Sequence, residues 1–340
     1  MAAMELKLVQ DWTDYNKSIL CSNQYYIENG SQIYQQEHPY PIPNALTNSL
    51  AHAASLMEIL KANLANYPAD HKITILDIGS GQGLFAKNIL VAARELEILD
   101  RIHITVSDLS KQALEDIQNN KVLKEFDGHY DFLELDALNL PTSLGQFSMI
   151  SMNYVYDALA MLPLKRNADA SFEKMQVRLQ EALDQVPSPY PLQQMIMERR
   201  WQNYDIKAAS DLEQKYFKYL DGTEEQLFNY EAIDMTKNLS KLLDDQGFIF
   251  VAEMLEARSA DLCFDLYGNC CAHETNELLI IRAMEAQGME ALLAKDSQLM
   301  RIFFFKNPKT KSRLKSVLYQ EFNETTRTDK LLESIQYPTQ

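Results

Sequence analysis

Positive charge is scarce in this chain. Its 340 residues carry 32 Lys and Arg against 48 Asp and Glu, a formal net charge of −16. A phosphate backbone is held by clustered cations, so a field of this sign argues against a nucleic-acid partner, despite a short basic run of Lys306, Lys309, Lys311, Arg313 and Lys315. It either attracts basic protein segments or serves solubility alone. Cysteine is sparse too. Cys21, Cys263, Cys270 and Cys271 show no CxxC spacing, which argues against a disulfide framework and points to a reducing cytoplasm. No run of 18 apolar residues occurs, so no membrane span is expected. Glu5, Lys7, Asp11 and Asp14 break up the N-terminus, so no secretory leader is expected. Ten glycines in the whole chain argue against repeat or low-complexity architectures. What is abundant is core-forming material: 46% of residues are hydrophobic, enough for one large domain with additions or for two domains.

Three of the ten glycines fall within five residues, in "ILDIGSGQGLF", Ile75 to Phe85. A short β-branched strand, "ITILDI", runs into Gly79, Gly81 and Gly83, and an amphipathic helix follows. Glycine permits a tight turn and lets a ligand sit against bare backbone. A phosphate cradle and a sulfonium-nucleoside cradle both begin this way. A dinucleotide fold prefers G-x-G-x-x-G, with its pyrophosphate on the helix N-terminus. Here the spacing is G-x-G-x-G, and Asp77 stands two residues before the first glycine. A carboxylate suits a ligand with a cationic end, an ammonium or, through water, a sulfonium, better than a pyrophosphate. Further strands, "IHITVSD", "YDFLELD", "FSMISMN" and "GFIFVAEML", alternate with helical stretches, and Ser110 is a plausible N-cap for one of them. "MEALLAKD" and "LMRIFFFK" supply two late strands. This alternation predicts an α/β, Rossmann-like, seven-stranded and mostly parallel sheet with helices on both faces. Asp108 ends the second strand, 25 residues past Gly83, and Asp136 ends the third.

The glycine loop together with three acidic strand ends resembles the first motifs of class I S-adenosylmethionine-dependent methyltransferases. The resemblance implies that fold, with S-adenosyl-L-methionine as cofactor. It further implies a cofactor set of Asp77, Gly79, Ser80, Gly81 and Gly83 around the loop, and Asp108 with Leu109 at the ribose hydroxyls. Asp136 would accept from the adenine amino group while the Ala137 N–H meets the ring, and Asn153 would lie near the transferred methyl. "SMNYVYDALAMLP", Ser151 to Pro163, resembles the N-E-x-x-D-A-L-P segment of the MidA-like family, which includes arginine methyltransferases involved in mitochondrial complex I assembly. This chain has Tyr154 in place of the acid, and Ala160, Met161 and Leu162 precede its proline. "GLFAKNIL" is similar to that family's first helix, and the resemblance covers residues 73–162. Methyl transfer needs an aligned, dry nucleophile and a base only where a proton must leave early, so no catalytic triad is required. Asn153 and Asp157 are the catalytic candidates. The competing structural reading is that Asn153 caps a strand end and Asp157 starts a helix.

The predicted organisation is an N-terminal helical segment and cofactor lid (1–70), a Rossmann-like core (71–162 and 227–307), a helical insertion on the substrate side (163–226) and a peripheral tail with a last helix (308–340). Within the first segment Leu46, Leu50, Ala53, Leu56, Met57, Leu60 and Leu64 recur at helical spacing, after the proline-rich turn "HPYPIP". "SFEKMQVRLQEAL" and the stretch around Trp201, Tyr204, Tyr216, Phe217 and Tyr219 read as helices split by "VPSPYP". Their aromatics, and those crowded between Tyr25 and Pro43, either wall a flat or cationic substrate or form core. In "DLYGNCCAHET" Cys270, Cys271, His273 and Glu274 are ligand types, but adjacent cysteines cannot easily share one tetrahedral site and no second cluster completes it. No metal is expected there, and the segment reads as an active-site rim. Glu253, on the fifth strand, is a further candidate unless it only pairs with a cation. The function read from these features is a cytoplasmic methyltransferase acting on a protein side chain or a small molecule. A non-catalytic interaction module and a dinucleotide oxidoreductase are the alternatives, and Asp77 counts against the latter. Oligomeric state is not legible.

Overall fold

Strand β2 (Ile73–Ile78) is buried along nearly its whole length, which only a central strand with both faces covered can achieve. A computed structural model describes residues 6–15, 24–29, 48–182, 195–220, 225–254, 264–267, 270–273, 275–295 and 299–322. It places β2 between β3 (Ile102–Asp108) and β5 (Phe147–Asn153) in a seven-stranded sheet. Outward from β3 lies β4 (Tyr130–Glu134), and outward from β5 come β10 (Leu243–Met254), β14 (Leu299–Phe305) and β13 (Glu290–Lys295), giving the order β13-β14-β10-β5-β2-β3-β4. The five strands from β4 to β10 pair in parallel. β14 runs antiparallel to both of its neighbours. The sheet is therefore seven-stranded and mostly parallel, as the strand and helix alternation predicts.

Side-chain alternation decides what each face holds. Ile73, Ile75, Ile104, Val106, Met149, Phe250, Phe303 and Phe305 pack with helices α2 (Leu50–Asn63), α3 (Leu84–Glu95) and α8 (Pro308–Phe322). Leu76, Ile78, Ile150, Met152, Val251, Ile302 and Phe304 pack on the other face with α6 (Tyr230–Ser240) and α7 (Glu277–Glu285). Each such side chain stabilises the fold by about 1.5–3 kcal/mol on burial. Ser49 caps α2, and Ser110 caps α4 (Lys111–Asn119) by accepting from the Ala113 N–H. A short helix, α1 (Gln24–Asn29), lies against α4.

One expectation fails and another needs an addition. Among the described residues the stretch 163–226 is not chiefly helical, and the N-terminal segment, expected to be mostly helical, also contributes a strand. β1 (Leu6–Asp14), β6 (Leu162–Arg166), β7 (Phe172–Ala182), β8 (Met195–Tyr204) and β9 (Glu225–Phe228) form a second, antiparallel sheet. The physical reason is visible in β7. Met175, Val177 and Leu179 are buried while the residues between them are partly exposed, the period-2 pattern of a strand. Lys, Gln, Arg and Glu there favour a helix intrinsically, but the pairing of β7 with β8 and β1 overrides that preference. Among the described residues the α-helix in this stretch is α5 (Asp211–Tyr216), opened by a capping box of Ser210 and Glu213. The segment expected as a rim loop carries a two-stranded ribbon, β11 (Phe264–Tyr267) and β12 (Cys270–His273). Glu274, residues 44–47 and residues 323–340 lie outside the described residues.

Candidate functional site

The C-terminal ends of β2, β3 and β5 meet at the glycine loop. Gly79, Gly81 and Gly83 have φ of +68°, +52° and +72°, the left-handed region that an L side chain enters at a cost. A Cβ on Gly83 would come within 2.9 Å of Ile117 Cγ2, and one on Gly79 within 3.1 Å of Val155 Cγ2. The glycines therefore let the loop lie close to α4 and to the chain after β5. Ser80 anchors it: its N–H donates to Ser107 O at 2.9 Å, and its carbonyl accepts from Gly83 N–H at 2.8 Å.

Asp77 is 1% exposed. Its carboxylate accepts from Ser80 Oγ and from Ser151 Oγ, each at 2.8 Å. Burial pushes it up to about 6, against the two serine hydrogen bonds and with a smaller push from the Asp108 charge. In this arrangement both oxygens of Asp77 are engaged by hydroxyls, and the residue ties the loop to β5.

Asp108, also 1% exposed, accepts from Gly81 N–H at 2.9 Å, from Ser110 N–H at 2.9 Å and from the Tyr26 hydroxyl at 2.8 Å. Burial raises its carboxyl above the usual range, while these donors pull it back. Beside it Leu109 is 43% exposed, an apolar surface next to a polar anchor. Asp136 is half-buried and caps its own turn, accepting from Leu138 N–H at 2.9 Å and Asn139 Nδ2 at 2.7 Å, with Ala137 half-buried beside it.

A second set of polar groups gathers where β5 and β10 end. Asn153 closes β5 in register with Ala252 of β10, and its buried Oδ1 has no hydrogen-bond partner. Tyr154 follows in a left-handed conformation, φ +54°, held by its N–H bond to Ala252 O at 2.9 Å. Glu253 Oε1 then accepts from Val155 N–H at 3.0 Å and Tyr156 N–H at 2.8 Å, while its Oε2 is buried with no partner. Asp157 sits in the 3-10 turn Tyr156–Ala158 rather than at the start of an α-helix. Among the described residues Glu253 meets no cation. Its charged neighbour is Asp157, and burial followed by that charge raises Glu253 well above the usual carboxylate range. Burial likewise pushes Asp157 up to about 7. Asn153 shares the β5 face of Met149 and Ser151, and Asp157 is the charged neighbour of Glu253. The β11–β12 ribbon lies against the turn that carries Asp157.

Ser151 and Tyr26 were not legible as site residues. Two serines, Ser148 and Ser151, interrupt the apolar core strand "FSMISMN", and the one nearer the strand's C-terminal end is Ser151. Tyr26 lies in the aromatic-rich stretch from Tyr25 to Pro43, but nothing local points to its partner 82 residues away.

The residues present fit a sulfonium nucleoside: a glycine cradle that a Cβ would fill, acidic strand ends at Asp108 and Asp136, an exposed Leu109 and an unpartnered Asn153 Oδ1. Comparisons with known proteins agree. The family model described as "Putative S-adenosyl-L-methionine-dependent methyltransferase" matches residues 53–257. No curated protein sequence matches. Among solved structures, a COG1565 superfamily protein from Burkholderia thailandensis bound to S-adenosyl-homocysteine is similar at a TM-score of 0.55 and 14% identity, over 83% of this chain and 74% of that one. A native structure of a COG1565 superfamily protein from the same organism gives a TM-score of 0.55 and 14% identity, over 83% and 73%. With the family model covering more than half of its residues, the chain belongs to this family of S-adenosyl-L-methionine-dependent methyltransferases.

Proposed function

We propose that the methyl acceptor is a nitrogen of a cationic protein side chain, with arginine the reading most in keeping with the MidA-like resemblance of residues 151–163. The observation that carries this is the buried, unpartnered acceptor oxygen Asn153 Oδ1, at the end of β5 and beside the end of β10 that carries Glu253. Buried acceptors without donors are costly, and an acceptor group bearing several N–H donors relieves that cost. The Asp157–Glu253 pair supplies the matching negative charge, and a net charge of −16 attracts basic segments.

In this reading the backbone of Gly79 to Gly83 cradles the cofactor. Asp108 and Leu109 face its ribose side, Asp136 and Ala137 its adenine, and Asn153 its methyl end. Bound there, the cofactor supplies a methyl group already activated on a sulfonium sulfur. Asp77 keeps the loop fixed to β5 through Ser80 and Ser151. Glu253 holds the amides of Val155 and Tyr156 and so fixes the turn that carries Asp157. Two carboxylates this close share one proton between them at neutral pH. The ionised member, Asp157, takes the proton released when the nitrogen gains its methyl.

The test uses peptides carrying Arg, Lys or Tyr as acceptors, and S-adenosylhomocysteine release as the readout. Turnover on the Arg peptide, lost in Asp157→Asn and Glu253→Gln with unchanged S-adenosylmethionine affinity, supports the reading. Turnover confined to the Tyr peptide, or retained in both variants, overturns it.

A further inference from the structure

We propose that the Tyr26 hydroxyl occupies the place of a ribose hydroxyl on Asp108, so that the cofactor loads only as helix α1 gives up that bond. The proposal rests on the assignment of Asp108 to the ribose. A carboxylate offers about four acceptor positions. The Gly81 and Ser110 N–H groups take one each, at 2.9 Å, and the Leu109 N–H adds a further stabilising bond. These three donors are main-chain groups of the glycine loop and of the turn after β3, so they cannot withdraw while the loop keeps its shape. The remaining donor is the Tyr26 hydroxyl, at 2.8 Å from Oδ2.

Tyr26 differs from the other three in what holds it. It comes from a six-residue helix, too short to be stable alone. Next to it, the Ile27 carbonyl accepts from Ser110 Oγ at 3.0 Å, so α1 is fastened to the ribose corner by two hydrogen bonds made at adjacent residues. With α1 seated, Asp108 is 1% exposed, which leaves no face of the carboxylate open to a diol. A phenol and a ribose hydroxyl are both O–H donors to the same oxygen, so one replaces the other with little change in bonding. The arrangement keeps a buried carboxylate paired in the absence of ligand. Its consequence is quantitative: affinity for the cofactor is reduced by the fraction of molecules in which α1 holds the acceptor.

The experiment measures S-adenosylhomocysteine binding to the full chain by calorimetry and stopped flow, in the wild type, Tyr26→Phe and Asp108→Asn. Tyr26→Phe keeps the ring and removes the donor. It is expected to bind about ten-fold more tightly, the weight of one hydrogen bond to a charged acceptor, with the gain in the association rate. Asp108→Asn is expected to lose binding. If Asp108→Asn loses binding while Tyr26→Phe binds equally or more weakly, the displacement proposal falls and the ribose assignment stands. If Asp108→Asn binds like the wild type, the ribose assignment itself fails and the proposal goes with it. Hydrogen exchange in the wild type gives an independent reading: ligand should accelerate exchange of amides 24–29, and slowed exchange would overturn the proposal.

Discussion

Asp77→Asn should make this protein more stable at neutral and alkaline pH, although it removes a charge from a heavily hydrogen-bonded site. The carboxyl is raised from 3.8 to about 6, chiefly by burial. About two pKa units correspond to about 3 kcal/mol against the ionised form at pH 8. The sign follows from proton counting. Between pH 3.8 and 6 the folded chain holds a proton on Asp77 that the unfolded chain has released, so this group costs stability increasingly as pH rises through that window. From the same two values, the penalty is about 2 kcal/mol at pH 5 and about 3 kcal/mol at pH 8. Asparagine retains an oxygen for Ser151 but not a second acceptor for Ser80. Ser80 Oγ already reaches Asp77 O at 3.1 Å, so its loss costs about 1 kcal/mol. The variant should therefore gain about 2 kcal/mol at pH 8 and about 1 kcal/mol less than that at pH 5. Denaturant unfolding of both proteins at the two pH values reads this directly. A stability difference that stays constant across pH 5–8, or a variant weaker than wild type at pH 8, would refute the placement of a strained, buried charge at Asp77.

Gly83→Ala should destabilise by about 2–3 kcal/mol in thermal unfolding, because it adds a Cβ at φ +72° and 2.9 Å from Ile117 Cγ2. Adding Ile117→Val should leave most of that loss in place, since backbone strain does not depend on the neighbour. Turnover should rise with pH through about 7, where Asp157 ionises, and Asp157→Asn should lower kcat and remove that limb of the profile while leaving the cofactor Kd unchanged. Glu231→Ala should lower kcat several-fold at constant cofactor Kd, because Glu231 Oε2 accepts from Ala160 N–H at 2.7 Å and fixes the segment just past Asp157. Cofactor titration beside steady-state kinetics separates the two effects.

Most of the central sheet is legible in the sequence. "ITILDI", "FSMISMN" and "LMRIFFFK" are apolar runs too short for helices and flanked by turn residues, and they appear as β2, β5 and β14. The glycine loop and Asp108 are legible because their spacing is local to one strand–turn–helix unit and the strand beside it. What is hidden depends on pairing between distant segments. Ser151 reaches Asp77 only because β5 is the parallel neighbour of β2, 74 residues along the chain. Glu253 reaches the amides of Val155 and Tyr156 because β10 lies beside β5. No pattern within either segment states that adjacency. The second sheet is hidden for a different reason. Its alternation is present in "KMQVRL", but the helix-favouring composition of the same residues masks the period.

That second sheet bears directly on the chemistry. β6 begins at Leu162, a few residues after the turn that carries Asp157, and β9 ends at Phe228, immediately before α6 begins at Tyr230. Both junctions touch the acidic corner: Ala160 N–H bonds to Glu231 on α6, and the Tyr156 hydroxyl meets Thr236 Oγ1 at 2.5 Å on the same helix. β6 and β9 pair antiparallel with each other, Leu162 opposite Phe228, so the insertion leaves and re-enters the core at one point. A helical insertion would attach there through its ends alone. A paired sheet instead fixes the two strands, the turn and α6 as one unit, which holds the Asp157–Glu253 pair buried and close enough for the Asp157 charge to raise the proton affinity of Glu253.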